Sequence, residues 1–345
     1  MLVREAKGAA REWVLERGCR APGFLGAYVT GSTIWLPEDV PFPATSDLDV
    51  KLVLENVGQA PRPGKFLYRG ALLEVGLVPR DRLHRPEAVL SSAVLASGFR
   101  TESIILDPTG MLASLRDAVS REFARRRWVR IRCQRAADGR RNAEGRLDQA
   151  VPLHDQATAT VFAAGGVTYL PMVAGLRDPT VRKRYVAARE VLAQFERLDF
   201  HEELLALLGC ANMTRERVEY HLRGMTAAFD EAKAAVKTTY RFASDISDAA
   251  RPISIDGTRE LIDQGLHRES VFWIAATYGR CRHILAADAP HQLPELDRTY
   301  RELLDELGIG SFEDRLRRCA EVEDFLPRAW QVTEDIVAAN PEIRD

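Results

Sequence analysis

Apolar and polar positions follow two different rhythms along this chain. Over roughly the first hundred residues the rhythm keeps changing. A 3.6-residue period at about 3–17 predicts an amphipathic helix, and the short runs "FLGAYVTG", "DLDVKLVLE", "ALLEVGLVPR" and "ESIILD" predict strands punctuated by Gly, Pro and Asp. The Pro/Gly-rich "NVGQAPRPGK" predicts a turn, and "DPTG" at 107–110 closes the last strand and opens a helix.

From about residue 111 the pattern is almost continuous helix. "LASLRDAVSREFARRRWVRIRC" has a strongly basic face, and Asp178-Pro179 predicts an N-cap with Pro at the first helical position before "TVRKRYVAAREVLAQF". Val218, Leu222, Met225 and Phe229 form one apolar stripe; Ile274, Tyr278, Cys281 and Leu285 form another. "SFED" at 311–314 has capping-box spacing with Asp at the last position, and "AADGRRNAEGRLDQA" (136–150) is polar enough for a loop or a frayed helix. The expected fold class is α+β: a small mixed-sheet domain over 1–115, then a larger all-helical domain over 116–345.

Composition narrows the partners. The 345 residues are 46% hydrophobic and 28% charged, as in folded chains large enough for two cores. Forty-eight basic side chains against 50 acidic ones leave a formal charge of −2, so no general positive field draws in a long nucleic acid, and any nucleotide partner is expected to be small. No uninterrupted apolar run reaches the roughly 18 residues of a membrane span, and "MLVREAKGAAREWVLERG" lacks the apolar centre of a signal peptide. A cytoplasmic protein with no membrane partner is expected. Five scattered cysteines without metal-ligand spacing are expected to be buried free thiols.

Candidate chemistry gathers in "YVTGSTIWLPEDVPFPATSDLDVKLVL" (28–54). Two aspartates one residue apart in an apolar segment are costly unless a cation compensates them. Strand alternation puts Asp47 and Asp49 on one face while Leu48 and Val50 enter the core. Mg²⁺ suits such a pair, because it takes carboxylate oxygens and completes its shell with phosphate and water. Gly31 and Ser32, after a strand, allow close backbone approach and offer donors to phosphate. Glu74, in another core-like run, is a third acid within reach of the same metal if the strands are neighbours, as ligand or as general base.

Gly-Ser followed by Ser46-Asp47-Leu48-Asp49-Val50, with a later strand acid, resembles the polymerase-beta type of nucleotidyltransferase. Within that superfamily "ALLEVGLVPRDRL", "ILDPTG" and the trailing helices are most similar to the aminoglycoside adenylyltransferases of the streptomycin/spectinomycin type. The resemblance implies transfer of a nucleoside monophosphate, AMP from ATP, to a hydroxyl of a small-molecule acceptor, an aminoglycoside-like compound, with release of pyrophosphate. It implies two Mg²⁺ held by Asp47 and Asp49, nucleotide contacts from Gly31, Ser32 and Ser46, and Glu74 as the base or as a further metal ligand. The gap from Ser32 to Asp47 is long and holds Pro37, Pro41 and Pro43, and an Arg often found soon after Gly-Ser is missing. Phosphate contacts are therefore sought at Lys51, Arg69, Arg80 or the basic helix around Arg125 to Arg132. The reading from a different class is a non-catalytic nucleotide-binding protein of the same fold, a sensor or an antitoxin-like partner. Trp35 is read as a stacking platform or a packed loop aromatic; Trp273 and Tyr278 are read as core, His154 and His201 as structural.

Overall fold

The computed structural model describes residues 1–58 and 63–345. It is α+β, and divides into two compact units, 1–135 with 178–180 and 340–345, and 136–177 with 181–339. The division falls beyond the expected boundary at 115. The reason is packing: Leu112 lies under Gly26, where a Cβ would come within 2.7 Å of it, and Arg132 donates to the Leu90 carbonyl at 3.1 Å.

The first unit opens with helix α1 (Val3–Glu16), whose Ala6, Ala9, Ala10, Trp13 and Val14 face the sheet. Five strands follow: β1 (Phe24–Thr30), β2 (Leu48–Leu54), β3 (Gly64–Tyr68), β4 (Ala71–Pro79) and β5 (Ile104–Leu106), in spatial order β3-β4-β2-β1-β5. β2 and β4 run parallel, and the other neighbours are antiparallel. Leu48, Val50, Leu52 and Leu54 join Leu73 and Val75 beneath α1. Burying side chains of this size contributes about 1.5–3 kcal/mol each, which fixes which face of β2 is left for Asp49 and Lys51. Part of the turn expected at 56–65 lies outside the described residues, and its end is not turn but the edge strand β3. The proline-rich segment before β2 is pinned to the chain start: Val3 N donates to the Val40 carbonyl and Phe42 N to that of Met1, both at 3.0 Å. Short helices α2 (Pro86–Leu90) and α3 (Ala93–Ser97), then α4 (Met111–Glu122) and α5 (Arg126–Asp138), complete the succession.

The second unit is helical: α6 (Leu153–Gly166), α7 (Tyr169–Ala174), α8 (Arg184–Gln194), α9 (Leu198–Leu208), α10 (Arg215–Ala235), α11 (Gly257–Asp263), α12 (His267–Asp288), α13 (Leu293–Glu306) and α14 (Phe312–Ala339). The stripes on α10 and α12 are buried. The expected capping box starts α14: Asp314 N donates to Ser311 Oγ at 3.0 Å while Ser311 N donates back to Asp314 Oδ2 at 3.0 Å. The other expected start is corrected. α8 begins at Arg184, and Asp178 belongs to the first unit, where its carboxylate accepts from the Trp35 indole N–H. One stretch, Leu153–Ala174, has a mean hydropathy of 1.4 and is long and apolar enough to cross a membrane, but 78% of its apolar window is buried in the fold. His154, Gln156 and Thr160 interrupt it, so the sequence shows no unbroken apolar run there.

Candidate functional site

Strand register assembles the acids. Asp49 on β2 pairs with Glu74 on parallel β4, and Glu74 pairs in turn with Lys65 on β3, so the three residues form one row across the sheet. Thr30 at the end of β1 extends the row, opposite Asp49. Asp47 sits one residue ahead of β2, not within it as alternation alone suggested. Lys65 joins it to the row: its Nζ lies 3.0 Å from Asp47 Oδ2 and also contacts Glu74 Oε2. Lys51, two residues after Asp49 on the same face, approaches Asp49 Oδ1 at 3.7 Å.

Among the described residues three carboxylates meet two ammonium groups, and burial, then the neighbouring Asp47, raises the Asp49 carboxyl to about 7, with Lys51 opposing and Glu74 adding to the rise. The three acids share one face of the sheet, and the donors they offer are all oxygen. These residues therefore fit a hard divalent ion. Solvent reaches the site: the Glu74 side chain is 37% exposed, whereas Lys65 is only 10% exposed.

Gly31 completes the acid side of the site. It has φ of +80°, and a Cβ there would collide with Asp49 Oδ2, so the Gly-Ser segment and the acids are brought together only because residue 31 is glycine. Ser32 is exposed at the head of a single 3-10 turn, Ser32–Trp35, and Ser46 is half-buried with its N–H on the Pro43 carbonyl at 3.0 Å. Among the described residues neither hydroxyl bonds to the acids.

Most of the basic residues considered for phosphate are engaged elsewhere. Arg69 pairs with Glu12 and Glu16, Arg80 with Glu55, Arg126 with Asp345 and Arg127 with Glu122. Arg132 is buried on the Leu90 and Phe123 carbonyls. Of those candidates Lys51 alone lies on the acids' face. Lys65, which reasoning from sequence missed, is the cation at the centre; it was hidden in a segment read as a turn. Trp35 is 40% exposed with the Arg100 guanidinium 5.2 Å from its ring centre.

The second unit brings together a group that spacing had not suggested. His154 Nε2 and His283 Nδ1 each lie 3.7 Å from an oxygen of Asp155, close enough for one ion to touch all three residues. Arg282 Nη1, however, donates to His154 Nδ1 at 3.1 Å, which places the imidazole proton on Nε2, the nitrogen facing Asp155. Burial holds His154 down at about 4, so the ring is neutral. The His154 Nδ1 lone pair is thus taken by Arg282, whereas His283 Nδ1 is buried without a hydrogen-bond partner. Arg282 and His154 are 128 residues apart, beyond the reach of spacing arguments. His201 meets Glu269 at 3.1 Å in the core, in the structural role expected of it.

Comparison of the chain with protein-family models, with curated proteins and with solved structures finds no match.

Proposed function

We propose that this chain is a metal-dependent nucleotidyltransferase that moves AMP from ATP to a hydroxyl of a small-molecule acceptor and releases pyrophosphate. The observation that carries this reading is the registered pair Asp49 and Glu74 beside Gly31, with Asp47 tied to Glu74 through Lys65. Asp47, Asp49 and Glu74 would hold Mg²⁺, which when bound supplies positive charge to the entering and leaving oxygens of an in-line displacement. The chain's own residues do the rest. Glu74, open to solvent, takes the proton of the acceptor hydroxyl. Gly31 lets the triphosphate approach the backbone, and Ser32 donates to it from the rim. Lys65 bridges Asp47 and Glu74, which keeps the acids in place between turnovers. We take the acceptor to be an aminoglycoside-like compound, as in the resembling enzymes, and the compartment to be the cytosol, where ATP is held and free thiols persist.

One observation favours a second reading. An ammonium group already bridging Asp47 and Glu74 is what a nucleotide-binding fold without metal chemistry would keep. Incubation with radiolabelled ATP, Mg²⁺ and a panel of aminocyclitols and other hydroxyl compounds separates the two. Labelled product with stoichiometric pyrophosphate supports the transferase; saturable ATP binding with no product under any acceptor supports the sensor.

A further inference from the structure

The second unit buries arginines in two ways. Arg315 is 4% exposed and every guanidinium nitrogen has a partner: Nε and Nη2 donate to Gln156 Oε1 at 3.1 and 2.9 Å, and Nη1 donates to the Ile309 and Gly310 carbonyls at 2.9 Å. Arg184 is buried to the same degree, at 3% exposed, yet among the described residues its only hydrogen bond runs from Nε to the Val181 carbonyl at 3.0 Å. Its guanidinium lies 4.0 Å from the Phe272 ring centre and 5.1 Å from those of Phe162 and Tyr169. No described carboxylate pairs with it.

Arg140 shares this environment. Its Nη1 donates to the Phe162 carbonyl at 3.0 Å, its Nε is buried without a partner, and it too has no described carboxylate in ion-pair range. The floor beneath the two cations is Gly165-Gly166. A Cβ on Gly165 would stand 2.6 Å from Phe272 and 3.3 Å from Arg184 Cδ, and one on Gly166 would collide with the Arg140 guanidinium. The glycine pair thus makes room for two like charges with no described counter-ion. Burial pushes Arg184 down to about 10, opposed by Tyr169 and reinforced by Arg140. An uncompensated buried charge costs several kcal/mol.

We infer that Arg140 and Arg184 form a binding site for a phosphate-class oxyanion. Two adjacent guanidinium groups call for a dianion with several acceptor oxygens, and a phosphoryl group supplies about two charges and three such oxygens at neutral pH. The site rests on residues of the second unit alone and stands independently of the transferase reading.

The test is calorimetric titration of the full chain, metal-free in EDTA, with inorganic phosphate, pyrophosphate and ATP in separate runs. Saturable one-site binding of at least one probe is expected. Arg140→Gln should weaken it about tenfold or more, the loss of one charge-assisted bond, and Arg184→Met, which keeps an unbranched stem under the rings, should do the same. Arg140 is half-buried, so its variant keeps the test valid even where Arg184→Met does not fold. Saturation by phosphate marks a free anion as the occupant; saturation by pyrophosphate or ATP alone marks a phosphoryl chain. No saturable heat with any of the three, or heat unchanged by Arg140→Gln, overturns the site.

Discussion

The two units bury charge with opposite signs. In the first, Asp47, Asp49 and Glu74 crowd a sheet face with, among the described residues, two lysines; in the second, Arg184 lies among aromatic rings and Arg140 on the Phe162 carbonyl, with no described carboxylate on either. Folding alone rewards neither arrangement, since carboxylates and guanidinium groups are stable in pairs. The lesson is that each unit gathers side chains of one sign among its described residues, which is what our two proposals build on, a divalent cation in one and an oxyanion in the other.

Breaking the first half of that contrast should give the largest effect. Asp49→Asn removes one donor from the acid cluster and the raised carboxyl with it, so turnover of ATP should fall about a thousandfold, several kcal/mol of transition-state charge stabilisation, while the melting temperature holds or rises. Steady-state pyrophosphate release and thermal unfolding measure the two. Next is Lys65→Met, which leaves Asp47 and Glu74 without their shared ammonium group. In EDTA the variant should lose about 2–3 kcal/mol in urea unfolding, less than a fully buried pair would because Glu74 is partly solvated, and millimolar Mg²⁺ should restore most of it.

A smaller effect sharpens the comparison through pH. The folded value of Asp49 is raised to about 7, chiefly by burial and then by Asp47. Its contribution to stability is therefore complete below the unfolded value of about 3.9 and is lost as pH rises through 7. Metal-free protein should lose about 1–2 kcal/mol between pH 5 and 8 in urea melts, and Asp49→Asn should flatten that slope. The smallest change is a control at a residue that bonds to neither charge group. Ser311→Ala should cost about 1 kcal/mol through the α14 cap and leave pyrophosphate release and anion binding unchanged.

Legibility in the sequence follows the range of the interaction. The capping box at 311–314, the stripes of α10 and α12, and the inward Leu48 and Val50 are local patterns, and all are found where expected. Gly31, Asp49 and Glu74 were legible because strand alternation limits which face each can take, although their meeting depends on the parallel β2–β4 pairing. β3 was not legible: its five residues, half-buried or exposed throughout, carry no apolar alternation, and Lys65 was lost with it. Asp178 carried a sound local signal for a helix start, but a tertiary bond from Trp35 claimed its side chain. Nothing in the sequence singled out Arg140 or Arg184, since only the packing of α6, α8 and α12 encloses them. Long-range burial of charge leaves no periodic trace.

The most direct measurement is calorimetric titration of Mn²⁺ into the metal-free chain and into Asp49→Asn, each with a non-hydrolysable ATP analogue. We predict saturable binding to the wild type, weakening below pH 7 as the Asp49 proton competes, and loss of that binding in the variant. Absence of saturable Mn²⁺ binding in the wild type, or binding unaltered by Asp49→Asn, would contradict a metal site built on these three acids.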